Sequence, residues 1–372
     1  MLFKPSLRLP PVLLFLLFLI LQRQTGMAQT KREAQASLLF YNAENLFDTI
    51  NHPHVKDEER TPAGSFNWTA KKYWEKLGKI SALFEQVPSL GKKGPSLIGI
   101  CEVENASVLR DLVNATPLSS LNYGWIHHDS PDHRGIDVAL LYKKEDFLPI
   151  RFQAHRLLLF DEQGYRRYTR DQLVVCGYLG QEEIALLVVH WPSRSGGQQR
   201  TEAARIKAAE LSRRIVDSLH RDKPDRKIIT MGDLNDNPNN KSVRLLLRSK
   251  HNQKGQSSSL FNPLIQDFER GMGTLAYRDQ WSLFDQWLLS NTFKSKQRGW
   301  QFAQSGILVL PELIQKKGRY KGYPYRTYVG RSYQGGYSDH LPIYLCLSWV
   351  ESPEEYALRK PDSPRNTAKD KE

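Results

Sequence analysis

The chain has 372 residues, of which 40% are hydrophobic, 10% are aromatic and 25% are charged, and it contains 3 cysteines. This composition excludes a mostly disordered chain and a disulfide scaffold, and the length allows one large domain or two modest ones. With 53 Lys and Arg against 40 Asp and Glu, the net charge is +13. Such a charge favours polyanionic partners, namely nucleic acid, phosphorylated polymers or anionic membrane surfaces.

The N-terminus has the plan of a secretory signal peptide. Lys4 and Arg8 precede an apolar run over residues 12–21, and small residues follow up to Ala28. The run is about half of the ~20 residues that a membrane span requires, so a retained anchor is the weaker alternative. We therefore expect residues 1–28 to be cleaved and the protein to be exported to the periplasm or the medium, with no stable membrane anchor. Cleavage removes three basic residues and no acid, which leaves a net charge of +10.

Short apolar runs rich in branched side chains recur through the rest of the chain and predict strands. They cover residues 38–41, 97–101, 136–142, 173–178, 184–190, 227–231, 284–289 and 341–347. Two stretches, around residues 73–87 and 204–219, have the apolar spacing of amphipathic helices. Because no Gly, Pro or Ser-rich linker divides this region, we predict one α/β or α+β domain over residues 29–350.

Three smaller features complete the organisation of the chain. Residues 252–259, rich in Gln and Ser, are interpreted as a surface loop. Residues 351–372 carry acids, bases and prolines with few apolar side chains, and we expect a disordered charged tail. Cys101, Cys176 and Cys346 lie in apolar runs, so buried free thiols are favoured over one disulfide with a spare thiol.

Polar side chains stand at the ends of the predicted strands, where a site is expected. They are Asn42, Glu44, Glu102, Glu104, His190, Asp233, Asn235, Asp236, Asp285, Ser338, Asp339 and His340. Burying such groups without partners is costly, so we expect the strand ends to converge on one polar site. Turn or cap roles are equally weighted for Glu44, Glu104 and Asp236.

These residue types indicate metal-assisted phosphoryl chemistry. A hard cation such as Mg²⁺ prefers oxygen ligands, and Glu102, Asp339 and Asn42 supply two carboxylates and an amide oxygen. Mn²⁺ or Ca²⁺ could take the same place. His190 and His340 can transfer protons near neutral pH, and Asp285 is placed in the sequence to orient one of them. No two cysteines are close enough in the sequence to suggest a closed zinc site.

Six motifs in order resemble the endonuclease/exonuclease/phosphatase superfamily, which contains deoxyribonuclease I and the abasic-site endonucleases. They are YNAENLFD at residues 41–48, CEVEN at 101–105, RGIDVALLY at 134–142, HWPSR at 190–194, GDLND at 232–236 and SDH at 338–340. The resemblance spans residues 37–347. It implies a four-layer sandwich of two mixed β-sheets packed face to face, with helices outside, and a divalent-metal phosphoesterase.

The resemblance also implies a role for each matching residue. Glu102 corresponds to the main metal ligand, with Asn42 and Asp339 beside it, and His340 to the catalytic histidine with Asp285 as its orienting partner. The remaining matches are Asp233 and Asn235 as the pair that positions water and phosphate, His190 as a second histidine, and Arg134 and Arg170 as candidate phosphate-binding residues. Both Asp233 and His340 stay open as the general base. Asp137 has a functional interpretation and an equally weighted structural one, as the partner of a buried arginine such as Arg134.

Residues 316–333 combine basic and aromatic side chains in a pattern suited to nucleic acid. Basic groups neutralise phosphates and aromatic rings stack on unpaired bases. The candidate contacts are Lys316, Lys317, Arg319, Lys321 and Arg326, interspersed with tyrosines. The equally weighted alternative is a loop whose tyrosines pack on the domain below.

The sequence therefore favours an exported, Mg²⁺-dependent nuclease that acts as a monomer and hydrolyses nucleic-acid phosphodiester bonds by in-line attack of water. The first alternative is a phosphatase or phosphodiesterase for small or lipid phosphoesters. A second alternative is a nucleic-acid-binding module with an inactive site, which is disfavoured because every expected catalytic position is filled.

Overall fold

A computed structural model describes residues 35–87, 93–248, 258–295 and 298–351. The predicted signal peptide, most of the predicted loop at 252–259 and all but the first residue of the predicted tail lie outside these ranges. Among the residues described, none of the helices has the length and apolar character needed to cross a membrane.

Two six-stranded sheets form the centre of the fold, and each of the eight predicted strands overlaps one of their strands. The first sheet contains β1 (Gln35–Leu46), β2 (Leu97–Val103), β3 (Tyr123–His127), β4 (Asp137–Lys143), β15 (Gly299–Ile307) and β18 (Ile343–Val350). The second contains β5 (Phe147–His155), β8 (Gln172–Leu179), β9 (Glu182–His190), β10 (Lys227–Asp233), β11 (Leu260–Phe261) and β14 (Asp285–Ser290). Three two-stranded ribbons are formed by β6 (Leu159–Phe160) with β7 (Arg166–Arg167), β12 (Leu275–Tyr277) with β13 (Gln280–Ser282), and β16 (Tyr328–Val329) with β17 (Ser332–Tyr333).

Both large sheets are mixed, and each has one parallel pair of strands at its centre. The first has the order β15-β18-β1-β2-β4-β3, with β1 and β2 parallel. The second has the order β11-β14-β10-β9-β8-β5, with β9 and β10 parallel. All other neighbours in the two sheets are antiparallel. Within each of these two pairs, β1 with β2 and β9 with β10, the strands therefore run in the same direction and end at the same edge of their sheet.

Four of the five described helices, α1 to α4, cover the outer faces of the sheets and complete the four-layer sandwich that was predicted. The five are α1 (Ala70–Glu85), α2 (Ala106–Asn114), α3 (Gln198–Asp222), α4 (Lys241–Leu247) and α5 (Ile265–Glu269), with short 3₁₀ turns at Glu58–Arg60, Leu118–Leu121, Asn291–Lys294 and Pro311–Leu313. Both predicted amphipathic helices are present as α1 and α3. The sequence did not predict α2, which begins after Asn105, whose side chain accepts a hydrogen bond from the Val108 N–H at 3.0 Å.

Strand β1 shows why the central strands read as continuous apolar runs. Leu38 and Phe40 point into the core between the sheets, where they join Met231. The alternate residues Leu39 and Tyr41 point outward into the core beneath α1. Because neighbouring side chains on a strand face opposite sides, a strand buried on both faces has no polar alternation. All three cysteines are buried and none of them forms a disulfide, as favoured from the sequence.

Irregularities at the ends of β1 and β2 turn polar side chains toward the site. The pairing of β1 with β2 shifts between Asn42 and Leu46, and the pairing of β2 with β4 shifts between Cys101 and Val103. Glu102 lies within the second shift and has a left-handed backbone conformation, with φ of 59°. An added residue at such a bulge re-aims the side chains next to it. The register shifts at the ends of β1 and β2 therefore help to direct the side chains of Asn42 and Glu102 toward the same place.

Candidate active site

The two sheets meet at a hydrogen-bonded cluster of polar side chains. Asn42 of the first sheet donates through Nδ2 to Asp233 Oδ2 of the second sheet at 3.0 Å, and to Glu102 Oε1 at 3.4 Å. Its own Oδ1 accepts the Glu44 N–H at 2.9 Å. Asn42 and Asp233 are almost fully buried. The predicted convergence of strand ends is therefore present, and Asn42 is the residue that joins the two sheets there.

His340 and Asp285 form a short, buried pair beside this cluster. His340 Nδ1 lies 2.6 Å from Asp285 Oδ2, and its Nε2 lies 3.8 Å from Asp233 Oδ2. Burial alone lowers the pKa of His340, but the Asp285 and Asp233 carboxylates outweigh it and hold the pKa well above its ordinary value. The environment of His340 therefore favours the protonated imidazolium, with Nε2 facing the site.

The second histidine has the opposite charge preference. His190 Nε2 lies 3.6 Å from Asp233 Oδ2 and 3.8 Å from Glu102 Oε1. Burial, together with the positive charges of Arg170, Arg134 and His340, holds its pKa well below the ordinary value. Its buried Nδ1 has no hydrogen-bond partner among the described residues. A neutral His190 and a charged His340 therefore flank the same carboxylate.

Asp233 is the carboxylate between the histidines. Burial raises its pKa to about 7, with His340 opposing and Asp285 reinforcing the shift. Oδ1 accepts the Asn235 N–H at 2.9 Å, and the Asn235 side chain donates to the Trp191 carbonyl at 3.0 Å. A pKa near neutrality is what a group needs to accept a proton in one step and return it in the next.

Two partly exposed carboxylates offer a place for a cation. The side chain of Glu102 is 13% exposed and that of Asp339 is 27% exposed. Glu102 Oε2 accepts the Asn45 N–H at 2.8 Å, and Asp339 Oδ2 lies 3.9 Å from Arg326 Nη2. Both groups keep lone pairs for a further partner, and hard oxygen donors with access to water suit Mg²⁺. The donor atoms of each carboxylate are therefore of the kind that a divalent cation such as Mg²⁺ binds.

Glu44 is a site residue whose role the sequence left undecided. Its carboxylate accepts the Thr327 N–H at 2.6 Å, and burial, reinforced by nearby Asp339, raises its pKa to about 7. Lys76, fully buried on α1, donates to the Glu44 carbonyl at 2.6 Å and to Thr327 Oγ1 at 2.7 Å. The position of Glu44 two residues after Asn42 was a signal for it, whereas nothing in the sequence pointed to Lys76.

The two arginines expected to bind phosphate differ in exposure. Arg170 is buried and donates to Asp132 Oδ2 at 3.0 Å and to the Trp191 carbonyl at 2.7 Å, which ties two site loops together. The side chain of Arg134 is 46% exposed, with Nε 3.7 Å from Asp132 Oδ1. Phosphate binding stays a prediction for both. Of the two, Arg134 has the exposure that direct contact with a substrate requires.

The suggested pairing of Asp137 with Arg134 was wrong. Asp137 accepts the Ser130 N–H at 3.0 Å, is also bonded by the Ser130 hydroxyl, and lies 3.2 Å from His127 Nε2. A neighbouring loop and β3 thus supply its partners, which sequence proximity to Arg134 could not reveal. The role of Asp137 in the described structure is to anchor that loop.

The tyrosines and the basic residues of 316–333 face different surroundings. Tyr328 is buried and donates to the Phe66 carbonyl at 2.8 Å, while Tyr323 bonds Asp279. Five basic side chains are exposed: Lys316, Lys317, Arg319, Lys321 and Arg331. Arg326 instead lies beside Asp339. Tyr328 and Tyr333 therefore pack on the domain, as the alternative interpretation held, whereas Tyr323 bonds an exposed aspartate, and the exposed charges remain available to a partner.

Comparisons with known proteins agree with this architecture. A profile of the Endonuclease/Exonuclease/phosphatase family matches residues 37–349. No curated protein sequence matches the chain. Similar solved structures include a family member from Bacteroides thetaiotaomicron, with 15% identity and a TM-score of 0.53 over 86% of this chain and 100% of that one. Another is a mannosyl-6-phosphatase from the same organism, with 16% identity and a TM-score of 0.51 over 84% and 100% of the chains.

D. rerio TDP2 in complex with a single-strand DNA product is similar at 12% identity, with a TM-score of 0.50 over 85% of this chain and 100% of that one. At these identities the structural similarity is one of fold. The profile match covers most of the chain and agrees with the order of the six motifs. The chain therefore belongs to the endonuclease/exonuclease/phosphatase family of hydrolases that act on phosphoester bonds.

Proposed function

We propose that the protein is a divalent-metal-dependent phosphoesterase that hydrolyses nucleic-acid phosphodiester bonds by in-line attack of water. The observation that carries this proposal is the buried array of Asp285, His340 and Asp233, in which a 2.6 Å contact orients the imidazole toward a carboxylate of raised pKa. An orienting acid, an imidazole and a second carboxylate can both move a proton and hold a phosphoryl oxygen.

The charge of each residue in this array determines the part that it plays in the proposed reaction. Asp233, held by the N–H of Asn235, is placed to take a proton from the attacking water, and its pKa of about 7 allows this at neutral pH. His340, kept protonated, is placed to donate to a phosphoryl oxygen or to hold it. The neutral His190 can accept or donate one hydrogen bond beside them without adding charge.

Glu102 and Asp339 would hold the metal ion, which supplies Lewis-acid stabilisation of charge at the transferring phosphoryl group. Asn42 was also predicted as a ligand, but in this structure its Nδ2 faces the two carboxylates and its Oδ1 accepts a backbone N–H. Its visible contribution is to fix Glu102 and Asp233 relative to each other. The ligand role of Asn42 stays a prediction, because its Oδ1 keeps a second lone pair beside the bond from the Glu44 N–H.

Charge and similarity support a polymeric substrate. The exposed bases at Lys316, Lys317, Arg319 and Lys321 and the net charge of +10 after cleavage favour a polyanion. A neighbour of the same fold was solved with a single-strand DNA product. The second candidate is a phosphatase of small phosphoesters, which is supported by the similar mannosyl-6-phosphatase.

The test is a substrate panel with protein lacking residues 1–28: plasmid DNA, RNA, sphingomyelin, an inositol phosphate and a chromogenic phosphodiester, each with Mg²⁺ and with excess chelator. Glu102→Gln should remove nearly all activity and keep the fold, because it removes a carboxylate ligand. Glu145→Gln, an exposed glutamate after the far end of β4, is the matched control and should be fully active. Full turnover in excess chelator would refute the metal mechanism. Cleavage of small esters with no cleavage of polymer would select the phosphatase.

We also propose export, which rests on the charged, apolar and small-residue segments of residues 1–28. Expression of the full chain in the source cell, followed by fractionation and N-terminal sequencing, should give a product that begins near residue 29 outside the cytoplasm. A full-length chain in the cytoplasm would contradict it.

A further inference from the structure

Arg60 is a basic residue beside the site that no motif singled out. It ends the 3₁₀ turn Glu58–Arg60 between β1 and α1, and its side chain stacks on an aromatic cluster. The guanidinium carbon lies 3.9 Å from the ring centre of Phe66 and 5.9 Å from those of Phe47 and Tyr328. Stacking of this kind covers the face of a guanidinium and leaves its N–H edge available.

The N–H groups of that edge are unused. Within the described parts of the chain, the guanidinium forms neither a hydrogen bond nor an ion pair. Arg60 is only partly buried, and its unpaired N–H groups are accessible to solvent and therefore to a ligand. Burial lowers the pKa of Arg60, and the carboxylates of Glu44 and Glu102 oppose that shift without approaching it as salt-bridge partners. The charged guanidinium of Arg60, with its unpaired N–H donors, therefore interacts electrostatically with Glu102, the proposed metal ligand.

One ring of the aromatic cluster, that of Tyr328, belongs to the chain segment that also carries Asp339, a proposed metal ligand. Tyr328 donates to the Phe66 carbonyl at 2.8 Å, and the preceding Thr327 N–H donates to Glu44 at 2.6 Å. Arg326, next in the chain, lies 3.9 Å from Asp339. The position of Arg60 is thus fixed relative to Glu44 and Asp339 through neighbouring residues, which is the preorganisation that a substrate-binding group requires.

We propose that Arg60 binds a non-bridging oxygen of the scissile phosphate, at the Glu102 side of the site. This deepens the proposed phosphoesterase function and rests on it. A guanidinium matches the geometry of phosphate oxygens with two parallel N–H bonds, and its charge complements the anion. Arg60 is then a substrate-binding residue that acts whether the ester is a polymer or a small molecule, because it contacts the phosphate alone.

The competing explanation is that Arg60 only stabilises its loop by stacking on Phe66. Lys72 provides a matched control, since its ammonium also packs against this cluster, 4.8 Å from the Tyr333 ring centre, but donates to the Asn67 carbonyl at 2.7 Å. A structural cation and a substrate-binding cation should therefore respond differently to replacement by Met, which keeps an apolar stem and removes the charge.

The experiment compares wild type, Arg60→Met, Arg60→Lys and Lys72→Met in three measurements: the KM and kcat for a chromogenic phosphodiester, the affinity for inorganic phosphate by calorimetry with Mg²⁺ present, and the Tm. Loss of a hydrogen bond to a charged group corresponds to a change of about tenfold to a hundredfold. We expect Arg60→Met to raise KM and weaken phosphate binding by that factor, Arg60→Lys to recover part of the loss, and Lys72→Met to change neither.

A lower Tm in Arg60→Met with unchanged KM and unchanged phosphate affinity would overturn the proposal and leave the stacking role. Failure of the proposed function looks different, because the wild type would then turn over no ester in the panel. The calorimetric measurement still decides the role of Arg60 in that case: equal phosphate affinity in wild type and Arg60→Met refutes it.

Discussion

Replacing Asp285 by Asn should disable the enzyme while preserving the shape of its core. The Asp285 to His340 contact is 2.6 Å long and both side chains are at most 6% exposed, so the lost interaction is a charge-assisted bond in a low-dielectric surrounding. Such a bond contributes about 1.5–3 kcal/mol, which corresponds to a loss of one to two orders of magnitude in rate. Misorientation of the imidazole adds to this loss, so we expect a decrease of about a hundredfold or more.

The pH dependence gives the same variant a second signature. Asp285 and Asp233 together hold the pKa of His340 above its ordinary value against the effect of burial. Removing one of the two charges lowers that pKa, so the protonated form is lost at a lower pH. The alkaline limb of kcat/KM for a chromogenic phosphodiester should therefore move to lower pH in Asp285→Asn.

The control for this experiment is Asp137→Asn, which breaks another buried contact between an acid and a histidine, 3.2 Å from His127, outside the proposed machinery. It should cost stability with kcat/KM nearly unchanged. If Asp285→Asn has the wild-type rate and pH profile, the two residues do not act as partners in catalysis.

Two further predictions concern substrate and stability. If the substrate is nucleic acid, replacing Lys316, Lys317, Arg319 and Lys321 together by Ala should flatten the salt dependence of polymer cleavage between roughly 50 and 200 mM, by about 0.9 log units per log unit of salt for each lost phosphate contact. Hydrolysis of a chromogenic phosphodiester should stay within a few-fold of wild type. Equal losses on both substrates would show that the loop is structural. Burial lowers the pKa of Lys76 to about 8, so the unfolded chain binds the extra proton between pH 8 and about 10. The free energy of unfolding should therefore rise with pH in wild type relative to Lys76→Met, by at most about 3 kcal/mol, and a difference that stays constant in urea titrations would contradict the assigned shift.

The sequence predicted the central strands because they are buried on both faces. Strand β5 escaped notice for the opposite reason: Leu148, Ile150 and Phe152 are more than half exposed on an edge strand, and Pro149 and Arg151 lie between them. Proline is disfavoured in strands, and Arg151 interrupts the apolar run, so the pattern does not indicate a buried strand. Helix α2 was missed because its nine residues are too few to show a clear period.

The candidate site was predictable where polar residues follow strands, as for Asn42, Glu102 and Asp233. Contacts made through loops were not predictable in this way. Arg60 acquires its place by stacking on Phe66, and Arg170 by reaching Asp132 across 38 residues of sequence. Such pairings depend on the conformations of the loops above the sheets, which the spacing of residues along the sequence does not indicate.

The backbone conformations of Glu44 and Glu102 are unfavourable for the stability of the fold, although both residues belong to the candidate site. Both residues have left-handed φ angles, 48° and 59°, in a region that disfavours side chains longer than Asn and costs about 1–2 kcal/mol per residue. Glycine would relieve that cost at either position. A population of variants selected only for stability should therefore drift to Gly or Asn there, whereas one selected for turnover should retain both glutamates. Sequencing the two pools would show, without any assay of individual variants, at which of the two positions activity requires a glutamate that lowers the stability of the fold.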